Sequence, residues 1–229
     1  MAPRMILCAA TGMFTTGALA GVVHQNVDRS VEVEFSIPSA PTLMANNNAA
    51  GFWDETVSDF VFDDDSGASG AGTAFQRSNL SMLGVSMVGS VSANASTDGF
   101  VMASTELHSL ITVSQATEYR ASAELFDLFL GNPELSFNAS LVADGGSGDV
   151  VWSASSRDVF LPDTGSFSFG VETGTLEAGD YQFSVVVSVG GYKGATTETG
   201  LSVQLVIPAP GVGGTLALAG LLSARRRRG

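Results

Sequence analysis

The sequence predicts an all-β fold, an antiparallel two-sheet sandwich of jelly-roll-like character. Three observations carry this. Apolar and polar residues alternate with period two in many short runs. Turn-forming clusters separate those runs. No amphipathic helix of ten to twelve residues intervenes, as a parallel α/β sheet would need.

The runs come in order. Val31, Val33, Phe35 and Ile37 alternate with Glu32, Glu34 and Ser36, and Leu83, Val85, Met87 and Val91 with Gly84, Ser86 and Ser90. Leu107, Ile111 and Val113 share a face; Tyr119, Ala121, Ala123 and Leu125 form the next run. Residues 123–130 have a helical alternative through Leu125, Phe126, Phe129 and Leu130, but a strand entering the Gly131-Asn132-Pro133 turn is preferred. Leu135 to Leu141, then Phe167 to Val171, Tyr181 to Val189 and Leu201 to Ile207 complete the set. Trp152 alternates with Val150 and Ala154, which marks it as core. Turns are expected at Gly145-Gly146-Ser147-Gly148, at Glu177 to Asp180 and at Gly190-Gly191, and loops at 38–50 and 63–74. About ten strands with short connections fit a sandwich. The stretch Thr175 to Phe183 resembles the turn-into-strand motif of many secreted bacterial sandwich domains. That resemblance implies a turn at Gly179 and a Tyr181 that packs one end of the sandwich; it selects no function.

The chain of 229 residues has 10 basic and 23 acidic side chains. Arg4 and Arg225 to Arg228 stand at its ends, so the body keeps five basic residues and a balance of −18. A body so acidic does not suit nucleic-acid binding, which needs a basic patch to replace phosphate counterions, nor adhesion to anionic lipid. Residues 1–20 have the make-up of a secretory signal helix: Arg4, an apolar Met5 to Leu19, and the small-residue pattern Ala18-Leu19-Ala20 with cleavage after Ala20. The single Cys8 lies inside it, so the mature chain has no thiol chemistry and no disulfide. One domain is expected over 21–207, held by its core alone.

Residues 208–229 are organised in three parts. Pro208-Ala209-Pro210-Gly211 is followed by an uncharged Val212 to Ala224, then by Arg225, Arg226, Arg227 and Arg228. The apolar part would span about 20 Å as a helix, short of the roughly 30 Å of hydrocarbon in a bilayer. Arginines behind it resist translocation. This tail resembles the PEP-CTERM sorting signal of Gram-negative bacteria, with Ala209 in place of the central glutamate. The resemblance implies an exported precursor held transiently at the inner membrane by its short C-terminal hydrophobic helix. An exosortase-type enzyme would then process it for the cell surface or the exopolysaccharide matrix. Leu161-Pro162-Asp163-Thr164-Gly165 also matches a sortase motif, but residues 166–211 separate it from the apolar stretch, so it is read as a turn.

The mature chain has two histidines, His24 in a mobile segment and His108 on the polar side of a strand. A serine-histidine-acid arrangement through His108 has no Gly-x-Ser-x-Gly elbow to support it. Two distant histidines cannot supply a zinc site. The run Asp63-Asp64-Asp65-Ser66-Gly67 offers oxygens to calcium, with Asp63 and Asp65 as ligands. Gly72 and Thr73 stand where the acidic anchor belongs, however, so a solvated loop and no cofactor are expected. Trp53 and Tyr192 are the candidates for stacking on a sugar. The leading expectation is a non-enzymatic structural protein of the cell envelope; the alternative is a lectin-like carbohydrate-binding module.

Overall fold

The computed structural model describes residues 22–37, 42–96, 99–130 and 135–208. Twelve strands form two antiparallel six-stranded sheets, packed as a sandwich: β1 (Val22–Phe35), β2 (Leu43–Asn47), β3 (Gly51–Phe62), β4 (Ser69–Ser81), β5 (Gly84–Ala95), β6 (Phe100–Val113), β7 (Thr117–Leu130), β8 (Leu135–Ala143), β9 (Val150–Ser155), β10 (Thr164–Leu176), β11 (Gly179–Tyr192) and β12 (Thr196–Val206). The first sheet has the order β2-β1-β6-β11-β8-β9 and the second β10-β7-β12-β5-β4-β3. Apart from a single 3-10 turn at Asp144–Gly146, no helix occurs among the described residues. Neither expected terminal helix, nor the Asn132-Pro133 turn, falls within them.

Inward side chains from the two sheets make one core. Val31, Val33, Leu107, Ile111, Phe137, Leu141, Phe183, Val185 and Val187 from the first sheet meet Met87, Val91, Leu125, Leu201, Val203 and Leu205 from the second. Burying a side chain of this size contributes about 1.5–3 kcal/mol. Trp152 stacks on Phe183 at 6.4 Å between ring centroids, in the core as its alternation indicates. Residues 123–130 are strand, with a bulge at Asp127, whose φ of 52° shifts the register against β12 between Glu198 and Gly200. Tyr181 is buried, and its hydroxyl donates to the Glu177 carbonyl at 2.9 Å.

The pairings nest. β5 pairs with β12, β6 with β11, β7 with β10 and β8 with β9, so the last eight strands form a long hairpin folded across both sheets. β1 and β2 extend the first sheet beyond β6, while β4 and β3 extend the second beyond β5. Each open side of the sandwich is crossed by the connection between its own edge strands, β2 to β3 on one side and β9 to β10 on the other. Edge strand β10 carries two register shifts and positive φ at Gly165 and Gly170, irregularities that discourage pairing with another chain.

Four sequence expectations need correction. The 38–50 loop contains β2, and the 63–74 loop ends at Ser69, where β4 begins. Inward positions of β4 carry Gly70, Gly72, Ala74, Gln76 and Ser78, so no apolar alternation announces it. A Cβ on Gly72 would run into Val33 and Val101; the strand is small because its opposite neighbours are large. Gly179 opens β11 without a positive φ. Gly190 and Gly191 lie within β11, and the turn falls at Lys193-Gly194. A Cβ on Gly191 would come within 2.6 Å of the Ala93 carbonyl, so glycine there permits close approach between the sheets.

Candidate functional site

Trp53 sits in β3 with 8% of its surface exposed and faces inward. The Arg29 guanidinium lies 5.5 Å from its ring centroid. The stacking face expected for a sugar is therefore taken by a cation, and Phe52, its neighbour in sequence, points out instead. Tyr192, at the end of β11, is half-buried, with the Lys193 ammonium 5.5 Å from its ring centroid. Trp53 and Tyr192 stand in different sheets and do not converge.

Arg29 is 1% exposed and has no carboxylate partner among the described residues. Neutral oxygens solvate it instead. Its Nη1 donates to the Gly51 carbonyl at 3.1 Å and to Ser78 Oγ at 3.2 Å; its Nη2 donates to Asn47 Oδ1 at 2.7 Å and to the Ala49 carbonyl. Nε has no hydrogen-bond partner among the described residues. Desolvation lowers the pKa of the group. The seam continues inward. The Gln76 carboxamide accepts from Ser78 Oγ at 3.1 Å and directs its NH₂ at Thr105 Oγ1, at 2.7 Å, and at the Glu106 carbonyl, at 2.8 Å. β4 of one sheet is thus tied to β6 of the other through the core, and the β2–β3 connection is fastened over the open side.

His24 is not mobile. It lies in β1, where Nδ1 is 3.0 Å from Ser109 Oγ and Nε2 is 2.9 Å from the Ser81 carbonyl. Burial lowers its pKa, with the backbone at Ser81 and Gly84 opposing. His108 is on the outer face of the first sheet. Its Nδ1 is 2.8 Å from Ser184 Oγ, and its Nε2 is 3.5 Å from Glu106 Oε2. Serine, histidine and carboxylate therefore stand in a line that sequence spacing had not assembled: Ser184 is opposite His108 in the β6–β11 register, and Glu106 is two residues away on the same face. The line lies on an open sheet face, and Ser184 belongs to a strand paired on both sides. Its surrounding N–H groups serve the ladders, whereas acyl transfer needs donors aimed at a developing oxyanion.

The Asp63 loop satisfies itself. Ser66 Oγ donates to Asp63 Oδ2 at 2.5 Å, the Asp65 amide to Asp63 Oδ1 at 3.3 Å, and the Gly67 amide to the Asp63 carbonyl at 2.8 Å. The Ser66 hydrogen bond is the main reason the Asp63 pKa is lowered. Among the described residues, no group of three or more His, Cys, Asp or Glu is gathered to hold a metal ion.

The body ends at Ile207 and Pro208. The Ile207 amide donates to the Leu83 carbonyl at 2.9 Å, and Thr117 Oγ1 to the Pro208 carbonyl at 3.2 Å. Pro208 borders an open groove of 470 Å³ lined by Glu118, Tyr119, Arg120 and Thr173 to Thr175. Ala18, Ala20, Ala209, Pro210, Gly211 and Arg225 to Arg228 lie outside the described residues. Among those described, no helix is long and apolar enough to cross a membrane.

No protein-family model and no curated protein matches the chain. Among solved structures, the infectious bursal disease virus Gt strain shows a similarity at 12% identity over 89% of this chain and 74% of that one, and its TM-score of 0.18 is too low to bear on fold or function.

Proposed function

We propose that this chain is an exported, non-catalytic structural protein of a Gram-negative envelope, a jelly-roll sandwich retained at the inner membrane by its tail. An exosortase-type enzyme then processes it for display on the surface or in the exopolysaccharide matrix. The observation that supports this most is where the body stops. Every strand among the described residues lies between Val22 and Val206, and the Pro208-Ala209-Pro210-Gly211 motif follows the last of them at once. Removal of the tail would take none of these strands from either sheet. The wet faces fit a hydrated matrix: Glu32, Glu34 and Glu106 crowd one another on the first sheet, and desolvation followed by the charges of Glu34 and Glu106 raises the Glu32 pKa.

Intact-mass measurement of the protein from a host that carries an exosortase tests the proposal. The expected product begins at Gly21, lacks Arg225 to Arg228 and is recovered from the envelope or medium. A cytosolic product that keeps the four arginines would overturn it.

The carbohydrate-binding alternative has one observation in its favour. Phe52, Phe60 and Phe62 are all more than half exposed on β3. Retention on an insoluble polysaccharide, lost in Phe52→Ala/Phe60→Ala but kept in Tyr192→Ala, would establish it in place of a purely structural role.

A further inference from the structure

Both ends of the sandwich body are fastened to one hairpin tip. The Val22 amide donates to the Met82 carbonyl at 3.3 Å, His24 meets the Ser81 carbonyl, and the Ile207 amide donates to the Leu83 carbonyl. The chain therefore reaches and leaves the body at the same place, the β4–β5 turn. Four apolar side chains are bare there: Met82 at 61% exposed, Leu83 at 55%, Val23 at 54% and Val206 at 41%. Val23 flanks the tip on the side of the first sheet and Val206 on the side of the second. A soluble end of a sandwich has no need of such a group.

Chain length says what covers them. Only residues 209–211 separate Pro208 from Val212, where the apolar stretch begins. Four residue steps reach at most about 14 Å. The polar layer of a bilayer is about 5–8 Å thick on each side of its hydrocarbon. If Val212 enters the hydrocarbon, Pro208 stays within about 9 Å of the membrane surface, and the tip to which its neighbour Ile207 is fastened is held near that surface.

We propose that the end formed by Val23, Met82, Leu83 and Val206 is a lipid-docking surface, seated at the boundary between headgroups and acyl chains while the tail holds the precursor. This rests on the reading of residues 208–229 as a membrane-retained tail. Charge selects the kind of lipid. Glu118, Glu177 and Asp180 flank the same end and outnumber Arg120, which stands opposite Val206, so a neutral zwitterionic surface is favoured over an anionic one. The sandwich then stands upright. The Asp63–Ala68 turn, at the other end of the 13-residue β4, is about 40 Å from the bilayer.

The test uses the full chain with Cys8→Ser, reconstituted into phosphatidylcholine vesicles that contain nitroxide-labelled lipid. Single cysteines carry an environment-sensitive dye at Met82→Cys, Val23→Cys, Ser66→Cys or Leu218→Cys. The dye at positions 82 and 23 is expected to shift to the blue and to be quenched several-fold more than at position 66. Adding phosphatidylglycerol should weaken the effect at both. Quenching at 218 without quenching at 82 and 23 would overturn the docking surface and leave the tail reading intact. A blue shift at 82 that lipid nitroxide does not quench would mean that protein, a second copy or the tail itself, covers the tip, and would also overturn it. Absence of quenching at 218 would remove the retained tail and the docking surface together.

Discussion

Arg29 is a cation held almost wholly out of solvent on the inward face of β1. Desolvation opposes its charge there. The period places it inward, one step from Val31, and the structure resolves the conflict by supplying carbonyl, carboxamide and hydroxyl oxygens in place of a carboxylate. Arg29→Ala would leave the Asn47, Ala49, Gly51 and Ser78 oxygens with fewer donors and open a cavity beside Trp53. The expected loss is about 3–5 kcal/mol in urea unfolding. Arg29→Lys keeps the charge but not the fork, so it should recover only part of that loss. A loss below about 0.5 kcal/mol for Arg29→Ala, the size of an ordinary surface substitution, would show that the seam does not hold the sheets. His24 makes a prediction about pH. Its folded pKa lies below its unfolded value, so acid protonates the unfolded chain first. Stability should therefore fall as pH drops through about 6.5 and level off below the folded pKa. His24→Gln should flatten that part of the pH profile. An unchanged slope would show that His24 is not its source.

At the scale of elements, the strands that could be read from sequence are those that face a core with large side chains. β11 alternates Tyr181, Phe183, Val185, Val187 and Val189 because it lies between β6 and β8, with one face dry and one face wet. β3 and β4 could not be read this way. β3 is an acidic edge strand with Phe52, Phe60 and Phe62 turned outward, and β4 fills its inner face with glycine, alanine, glutamine and serine against Val33 and Val101. Matching small to large across the sandwich is invisible to a pattern that counts only apolar residues. The candidate site was legible in its parts and not in its assembly. Alternation puts His108 on a polar face, but its pairing with Ser184, 76 residues away, depends on strand register. The burial of Trp53 is not legible in the sequence, because Arg29, 24 residues away, meets its ring only in three dimensions. The account predicts that Gly72→Val, which drives a branched side chain into Val33 and Val101, destabilises by at least about 2 kcal/mol in chemical denaturation. Gly67→Ala, in an open turn with φ of +70°, should cost only about 1 kcal/mol. Equal effects at the two positions would argue against close packing between β4 and the first sheet.

At the scale of the whole molecule, the nested pairings bring β5 to β12, while β1 to β4 widen both sheets. Most of this architecture joins residues far apart in sequence, so slow folding is expected for its size. Both ends of the described body return to the Met82-Leu83 tip, so the chain enters and leaves it at one pole, opposite the Asp63–Ala68 turn, and the segments proposed as addresses, 1–20 and 208–229, continue from there. The central claim is that residues between those segments form a self-sufficient cooperative unit. Equilibrium urea unfolding of residues 21–208, compared with the full chain and followed by both tryptophan fluorescence and circular dichroism, tests it directly. The account predicts one transition, coincident by both probes, with the same midpoint and slope in the two proteins. A 21–208 chain that fails to fold, or that unfolds in separate steps, would contradict it.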